Sequence, residues 1–282
     1  MGLFNRSSSS QRSRLTRMIW SYAADWVLVI IMALGFFCID KIHPFQRQFS
    51  LDDKTIQYPH KPDTVSPAML IGISFGIPIL VVFFVSIFIR RSWFDLHQGW
   101  LGLMLGLTLT IMITHTLKIT AGRLRPDFIA RCKLDLSDGI PKDPDVGLST
   151  MQLCTQTNAK MLRDGMKSFP SGHSSLSFAG LFYVSLFLAG KLHIHDRKGH
   201  TIKSFLVILP ILGAAWVAVS RTVDYRHHWQ DVTVGSLIGI ACAYFAYRQY
   251  YPSLYSHLCH RPYSPRIPSD VDGSTVTAVE TP

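Results

Sequence analysis

Residues Ser220-Arg221-Thr222-Val223-Asp224-Tyr225-Arg226-His227-His228-Trp229-Gln230-Asp231 set two arginines, two histidines and two aspartates between long apolar runs. If the second half of this stretch is helical, His227 and Asp231 stand at i and i+4 on one face. A carboxylate one turn from an imidazole can accept a ring N–H, fix the tautomer and leave the other nitrogen free as nucleophile or base. The plainer reading is a polar loop followed by a helix cap.

Two other stretches carry chemistry. Ser168-Phe169-Pro170-Ser171-Gly172-His173-Ser174-Ser175 reads as the start of a helix, because Pro and Ser suit a first turn. Free backbone N–H groups at such a start bind anions. Gly172 lets a phosphate approach the backbone, and His173 sits where it can reach that anion. Upstream, Lys118, Arg123 and Arg125 form a cationic cluster just after an apolar run. Snorkelling of long basic side chains toward an interface accounts for one or two of these more easily than for three.

The elements that must position these residues are membrane spans. The chain has 282 residues and is 48% hydrophobic but only 16% charged, against about 25% charge in a globular domain. Six runs approach the roughly 20 residues needed to cross a bilayer core: Trp20–Ile39, Pro67–Ile89, Trp100–Leu117, Ser174–Gly190, Ser204–Val219 and Val232–Tyr247. These runs are nearly free of charge for whole helical lengths, unlike the core of a large soluble domain. The expected fold is an all-α, polytopic membrane protein with six transmembrane helices. Residues 1–19 and 251–282 are expected as disordered tails flanking a membrane domain over 20–250. In the second span, Gly72-xxx-Gly76 predicts close helix approach, and Pro78 predicts a kink.

The net charge of +10 does not point to nucleic acid, because its distribution follows topology. Arg6, Arg12, Arg14 and Arg17 precede the first span, and Arg90 and Arg91 follow the second. Lys191, Arg197, Lys198 and Lys203 lie between the fourth and fifth, and Arg248, Arg261 and Arg266 follow the sixth. With six spans all four segments share one face, which the positive-inside rule makes cytosolic, together with both termini. The first apolar run continues past the small residues Ala33-Leu34-Gly35, so it reads as an uncleaved anchor rather than a signal peptide. Asp25, near the cytosolic end of that run, is expected at the interface. The five cysteines have no zinc-site spacing. Cys132 and Cys154 share a long non-cytosolic loop in which a disulfide can persist, and Cys259 is a weak candidate for palmitoylation.

The same topology gathers the three chemical stretches at the other face. Lys118 and Arg125 follow the third span, Ser171, Gly172 and His173 open the fourth, and Arg221, His227 and Asp231 join the fifth to the sixth. Three cations and helix-start amides suit a multiply charged phosphate and the charge of a phosphoryl transition state. His227 can attack phosphorus, while His173 gives a proton to the leaving oxygen and then takes one from water. The carboxylates do not form a magnesium cluster, so no cofactor is called for.

Lys118-x6-Arg125-Pro126, Pro170-Ser171-Gly172-His173 and Ser220-Arg221-x5-His227-x3-Asp231 resemble the three-part signature of the type-2 phosphatidic acid phosphatase (lipid phosphate phosphatase) superfamily. The wording is closest to its fungal diacylglycerol pyrophosphate phosphatases: Pro44-Phe45-Gln46-Arg47-Gln48-Phe49, Gly122–Phe128, Pro170–Leu181 and Asp224–His228. The similarity covers about 20–250. It implies phosphate binding by Lys118, Arg125, Ser171, Gly172 and Arg221, general acid/base catalysis by His173, nucleophilic attack by His227 and support from Asp231. It also implies magnesium-independent hydrolysis of diacylglycerol pyrophosphate, phosphatidate and lysophosphatidate in the bilayer, at a lumenal or extracellular face of the vacuole, Golgi or plasma membrane. Arg123, Arg226 and His228 lie outside the minimal signature. The alternatives are a relative acting on prenyl, sphingoid or soluble phosphate esters, and a non-catalytic lipid transporter or binder. The sequence names no protein partner.

Overall fold

The computed structural model describes residues 3–135 and 141–267. In chain order these form α1 (Leu3–Asp40), α2 (Pro67–Ile89), α3 (Trp93–Ala121), the short α4 (Phe128–Cys132) and α5 (Ala159–Gly165), α6 (Gly172–Lys191), α7 (Thr201–Val223) and α8 (Trp229–Tyr250). Among the described residues there is no strand, only the isolated bridges Phe49–Ser149 and Leu134–Cys154. Among the described residues five helices are long and apolar enough to cross a membrane: α1 over Trp20–Asp40, α2, α3, α6 and α7. The sixth expected span, α8, is long enough but carries Gln230, Asp231, Arg248 and Gln249.

Helix α6 is the centre of the bundle, packed on α8, α7, α3 and α2. Helix α8 lies against α6 and α3 and buries Gly235, Gly239, Cys242, Ala243 and Ala246. A stripe of small residues lets backbones approach. A Cβ at Gly239 would sit 2.3 Å from the Ser175 carbonyl oxygen, and one at Gly235 would sit 2.5 Å from that of Ser171. Packing against protein therefore accounts for the weaker apolar signal of α8.

The expected close approach at Gly72 and Gly76 is not made: nothing lies within 4 Å of a Cβ at either. These residues instead bound a wide π-helical turn ahead of Pro78. Pro78 has no N–H to bond the carbonyl four residues back, that of Ser74. That Ser74 oxygen is the atom packed on α6, where it would meet a Cβ at Gly180 at 2.1 Å. The close contact is real, but its glycine is on α6. Helix α3 starts earlier than the expected Trp100, because Ser92 caps it and the polar Asp95 is buried in an ion pair with Lys191.

Both tails depart from expectation within the described residues. Residues 3–19 continue α1 as helix, since extending a helix from an existing span needs no new nucleus. Segment 251–267 folds back along the bundle. Tyr251 is buried and donates to Asp95, and Arg266 pairs with Asp25 at 2.5 Å and stacks over Tyr22. Cys259 is only 2% exposed, so in this fold its thiol is closed to acylation. Residues 268–282 lie outside the described residues.

At the other end, residues 41–66 and the described residues between α3 and α6, 122–135 and 141–171, form a cap. Phe49, Ile56, Leu124, Phe128, Cys132 and Met166 make a small apolar core. Cys132 and Cys154 are joined as a disulfide, and Asp143 ties Ser50 to Ser149.

Candidate active site

Lys118 lies in the last turn of α3, and Gly122 ends that helix with φ of 54°. A Cβ there would stand 1.9 Å from the Phe45 carbonyl oxygen, so only glycine fits. The turn sends Arg125 back over the bundle end, where its N–H bonds the Gly165 carbonyl at 2.9 Å. Ser171 is the N-cap of α6, so Gly172 and His173 are its first two helical residues, as the sequence predicts.

The turn over residues 168–172 is the hub of the site. Lys118 Nζ donates to the carbonyls of Lys167 at 3.1 Å and Pro170 at 2.7 Å, and its Cε passes 4.0 Å from where a Gly172 Cβ would be. From the opposite side, His227 Nδ1 meets the Ser168 carbonyl at 2.7 Å, and Ser171 N–H donates to the Asp231 carbonyl at 2.9 Å. Arg221 joins through its own carbonyl, which accepts from the N–H groups of Arg226 and His227. Tyr225, at φ 55° and stacked on Tyr58, turns the chain between them. His173 Nε2 bonds the Val65 carbonyl at 3.1 Å. All eight expected residues are thus brought into one assembly.

One relationship differs from the sequence reading. His228 is the N-cap of α8 and Asp231 its N3 residue, each closing a capping bond with the other. His227 therefore precedes the helix and does not share a face with Asp231; its Nδ1 is 4.0 Å from Asp231 Oδ2, too far for a hydrogen bond. The Asp231 carboxylate is held by Ser168 Oγ at 2.6 Å, Arg123 at 2.7 Å and the His228 N–H at 3.1 Å. The Ser168 carbonyl takes the orienting place at His227. A carbonyl only accepts, so Nδ1 carries the proton and Nε2 holds the free lone pair.

The electrostatics match that state. Burial above all, then the positive charges of Arg125 and Lys118 and the nearby His173, hold the His227 imidazole well below its usual range. Arg125 pairs with Asp164 at 2.8 Å while its buried Nε has no partner, leaving a donor for an incoming anion. Burial raises the Asp164 carboxyl, but Arg125 and Arg131 outweigh it and bring it to about 2. Arg221 is buried between Asp63 at 2.8 Å and Asp224 at 2.5 Å. Sequence reasoning missed Ser168, Asp63 and Asp164, and left Arg123, Arg226 and His228 without partners. Asp63 sits in a loop and Asp164 in the short helix α5, neither with a local pattern that marks it, while the capping relation of His228 and Asp231 was legible in their spacing.

Residues 99–255 match the PAP2 superfamily. The chain belongs to that superfamily. This PAP2-superfamily chain is similar to lipid phosphate phosphatase 2 of Arabidopsis thaliana, with 40% identity over 234 residues, 82% of this chain and 78% of the relative. It is also similar to diacylglycerol pyrophosphate phosphatase 1 of Saccharomyces cerevisiae, with 38% identity over 242 residues, 84% of this chain and 82% of the relative. No solved structure matches it. The superfamily and the apolar helices make it a multi-pass membrane enzyme of the phosphatase type.

Proposed function

We propose that this protein is a lipid phosphate phosphatase that converts diacylglycerol pyrophosphate to phosphatidate, and phosphatidate and lysophosphatidate to their dephosphorylated lipids, through a phosphohistidine on His227. The observation that carries the reading is the convergence of Lys118, Arg125 and the α6 start around an imidazole whose Nδ1 is tied to Ser168 O, with Arg221 joined to it through its backbone carbonyl. The relatives' names supply the lipid phosphate class.

In the first step His227 Nε2 donates its lone pair to phosphorus, and the bond from phosphorus to the leaving oxygen breaks. His173 protonates that oxygen. With Nε2 on the Val65 carbonyl, Nδ1 is the nitrogen that exchanges this proton. In the second step His173 takes a proton from water, the oxygen attacks phosphorus, and the P–N bond breaks to release orthophosphate and His227. Lys118, Arg125, Arg221 and the amides following Ser171 hold the equatorial oxygens. Asp231 acts through Ser168. No step is routed through a metal.

The membrane domain is read as six spans over 20–250, with α8 the sixth, the site facing a lumen or the exterior, and both termini cytosolic. The disulfide supports this orientation, since such bonds persist in oxidising compartments. The basic segments at the opposite end support it too. The test is phosphate release from lipid micelles with a chelator present. His227→Ala and His173→Ala are each expected to abolish it; activity surviving both would sink the assignment.

A further inference from the structure

One carboxylate at the site stands apart from the others. Asp63 lies in the segment running from the cap into α2, and its Oδ1 accepts from Arg221 Nη1 at 2.8 Å and lies 3.0 Å from Arg226 Nε, a buried N–H that makes no hydrogen bond. The same segment supplies the Val65 carbonyl to His173, the Lys61 carbonyl to Arg226, and the N–H and hydroxyl of Thr64 to Asp224. Asp224 and Asp127, the other carboxylates on these arginines, are 5% and 0% exposed and are fixed by further bonds. Asp63 is 31% exposed, and among the described residues its carboxylate is hydrogen-bonded by Arg221 and ion-paired with Arg226.

An oxygen bonded to one guanidinium and standing beside the unbonded N–H of a second occupies a place that a phosphoryl oxygen could fill with both donors engaged. A guanidinium left bare in a buried site is costly, so an exposed carboxylate is a suitable occupant until a stronger anion arrives. Phosphate carries more charge and more acceptor oxygens, and it pairs with arginine through two parallel bonds. Burial raises the Asp63 carboxyl, but Arg226 and Arg221 outweigh it and hold it below the usual range, so it is ionised at neutral pH.

We propose that Asp63 is a resident counter-anion of the phosphate site, covering Arg221 and Arg226 until a phosphoryl group displaces it. Asp63 thereby sets anion affinity and the preference between monophosphate and diphosphate lipids. This rests on the reading of Arg221 as a phosphate ligand. Because Asp63 repels a ligand in proportion to its charge, a diphosphate is held back more than a monophosphate.

The test is steady-state hydrolysis of phosphatidate and of a lipid diphosphate by the full chain in micelles, with orthophosphate as competing inhibitor. Asp63→Asn is expected to strengthen orthophosphate inhibition roughly tenfold, the effect of one nearby charge in partly screened surroundings. It should lower KM more than it alters kcat, and raise the diphosphate-to-monophosphate ratio of kcat/KM. Asp63→Glu should return all three toward wild type. Asp52→Asn, at an exposed position of the same loop, should move none. Unchanged or weaker orthophosphate inhibition in Asp63→Asn would overturn the proposal and make Asp63 a buttress for Arg221. A wild-type measurement stands beside it: orthophosphate should speed amide exchange over 60–65, and an unaltered rate would also overturn it. Lack of any orthophosphate inhibition in wild type would instead overturn the phosphate-site reading, which the His227→Ala assay tests separately.

Discussion

Asp231 grips Ser168 through its hydroxyl at 2.6 Å, and the carbonyl of the same Ser168 holds His227 at 2.7 Å. The carboxylate therefore reaches the imidazole through one intervening residue. In a triad where the carboxylate bonds the imidazole directly, amide replacement costs about 10⁴ in kcat. Here Asp231→Asn should cost less, on the order of 10², because the Ser168 carbonyl remains. Ser168→Ala, which keeps that carbonyl, should fall in the same range. Single-turnover phosphate release from both variants checks this; an effect of Asp231→Asn equal to that of His227→Ala would restore a direct contact.

The state of His227 predicts a pH profile. An imidazole attacks as a nucleophile only when neutral, and a depressed pKa keeps His227 neutral as pH falls. The acid limb of kcat/KM should therefore lie below the ordinary imidazole value of about 6.5. Arg125→Gln removes one of the depressing charges and should move that limb upward. A limb that stays in place in this variant would show that Arg125 does not act on the nucleophile.

The glycines of the bundle separate sharply. Gly239→Ala would force a methyl to within 2.3 Å of the Ser175 carbonyl, and overpacking of this kind costs about 1–3 kcal/mol. Gly72→Ala meets nothing within 4 Å and should be neutral or slightly stabilising. Thermal unfolding in detergent should give a lower midpoint for the first and not the second.

The Cys132–Cys154 bond closes a separation of 22 residues, which constrains the unfolded chain by about 3 kcal/mol. Cys154→Ser should lower the unfolding midpoint under oxidising conditions and make it insensitive to reductant. Wild type should fall to the same midpoint when reduced.

The sequence carried the site further than it carried the packing. Lys118, Arg125, Ser171, Gly172, His173, Arg221, His227 and Asp231 could be read as a candidate set because they lie near the ends of apolar runs, and the structure places them together at one end of the bundle. The partner of His227 did not, because helical spacing from 227 to 231 presumed a helix that starts only at Trp229. Main-chain acceptors such as Ser168 O and Val65 O are invisible to side-chain patterns, and so are loop carboxylates such as Asp63. The Gly72/Gly76 reading failed for a related reason: spacing identifies a surface that permits close approach but not whether a neighbour occupies it.

The bond from the Ser171 N–H to the Asp231 carbonyl joins the start of α6 to the first turn of α8, and His227, the proposed nucleophile, lies just ahead of that turn. A chain threaded into the bilayer only as far as α7 would have an anion cradle without an attacking group. By the proposed mechanism, hydrolysis would switch on only when the last helix docks, and lipid turnover would become a readout of completed membrane assembly.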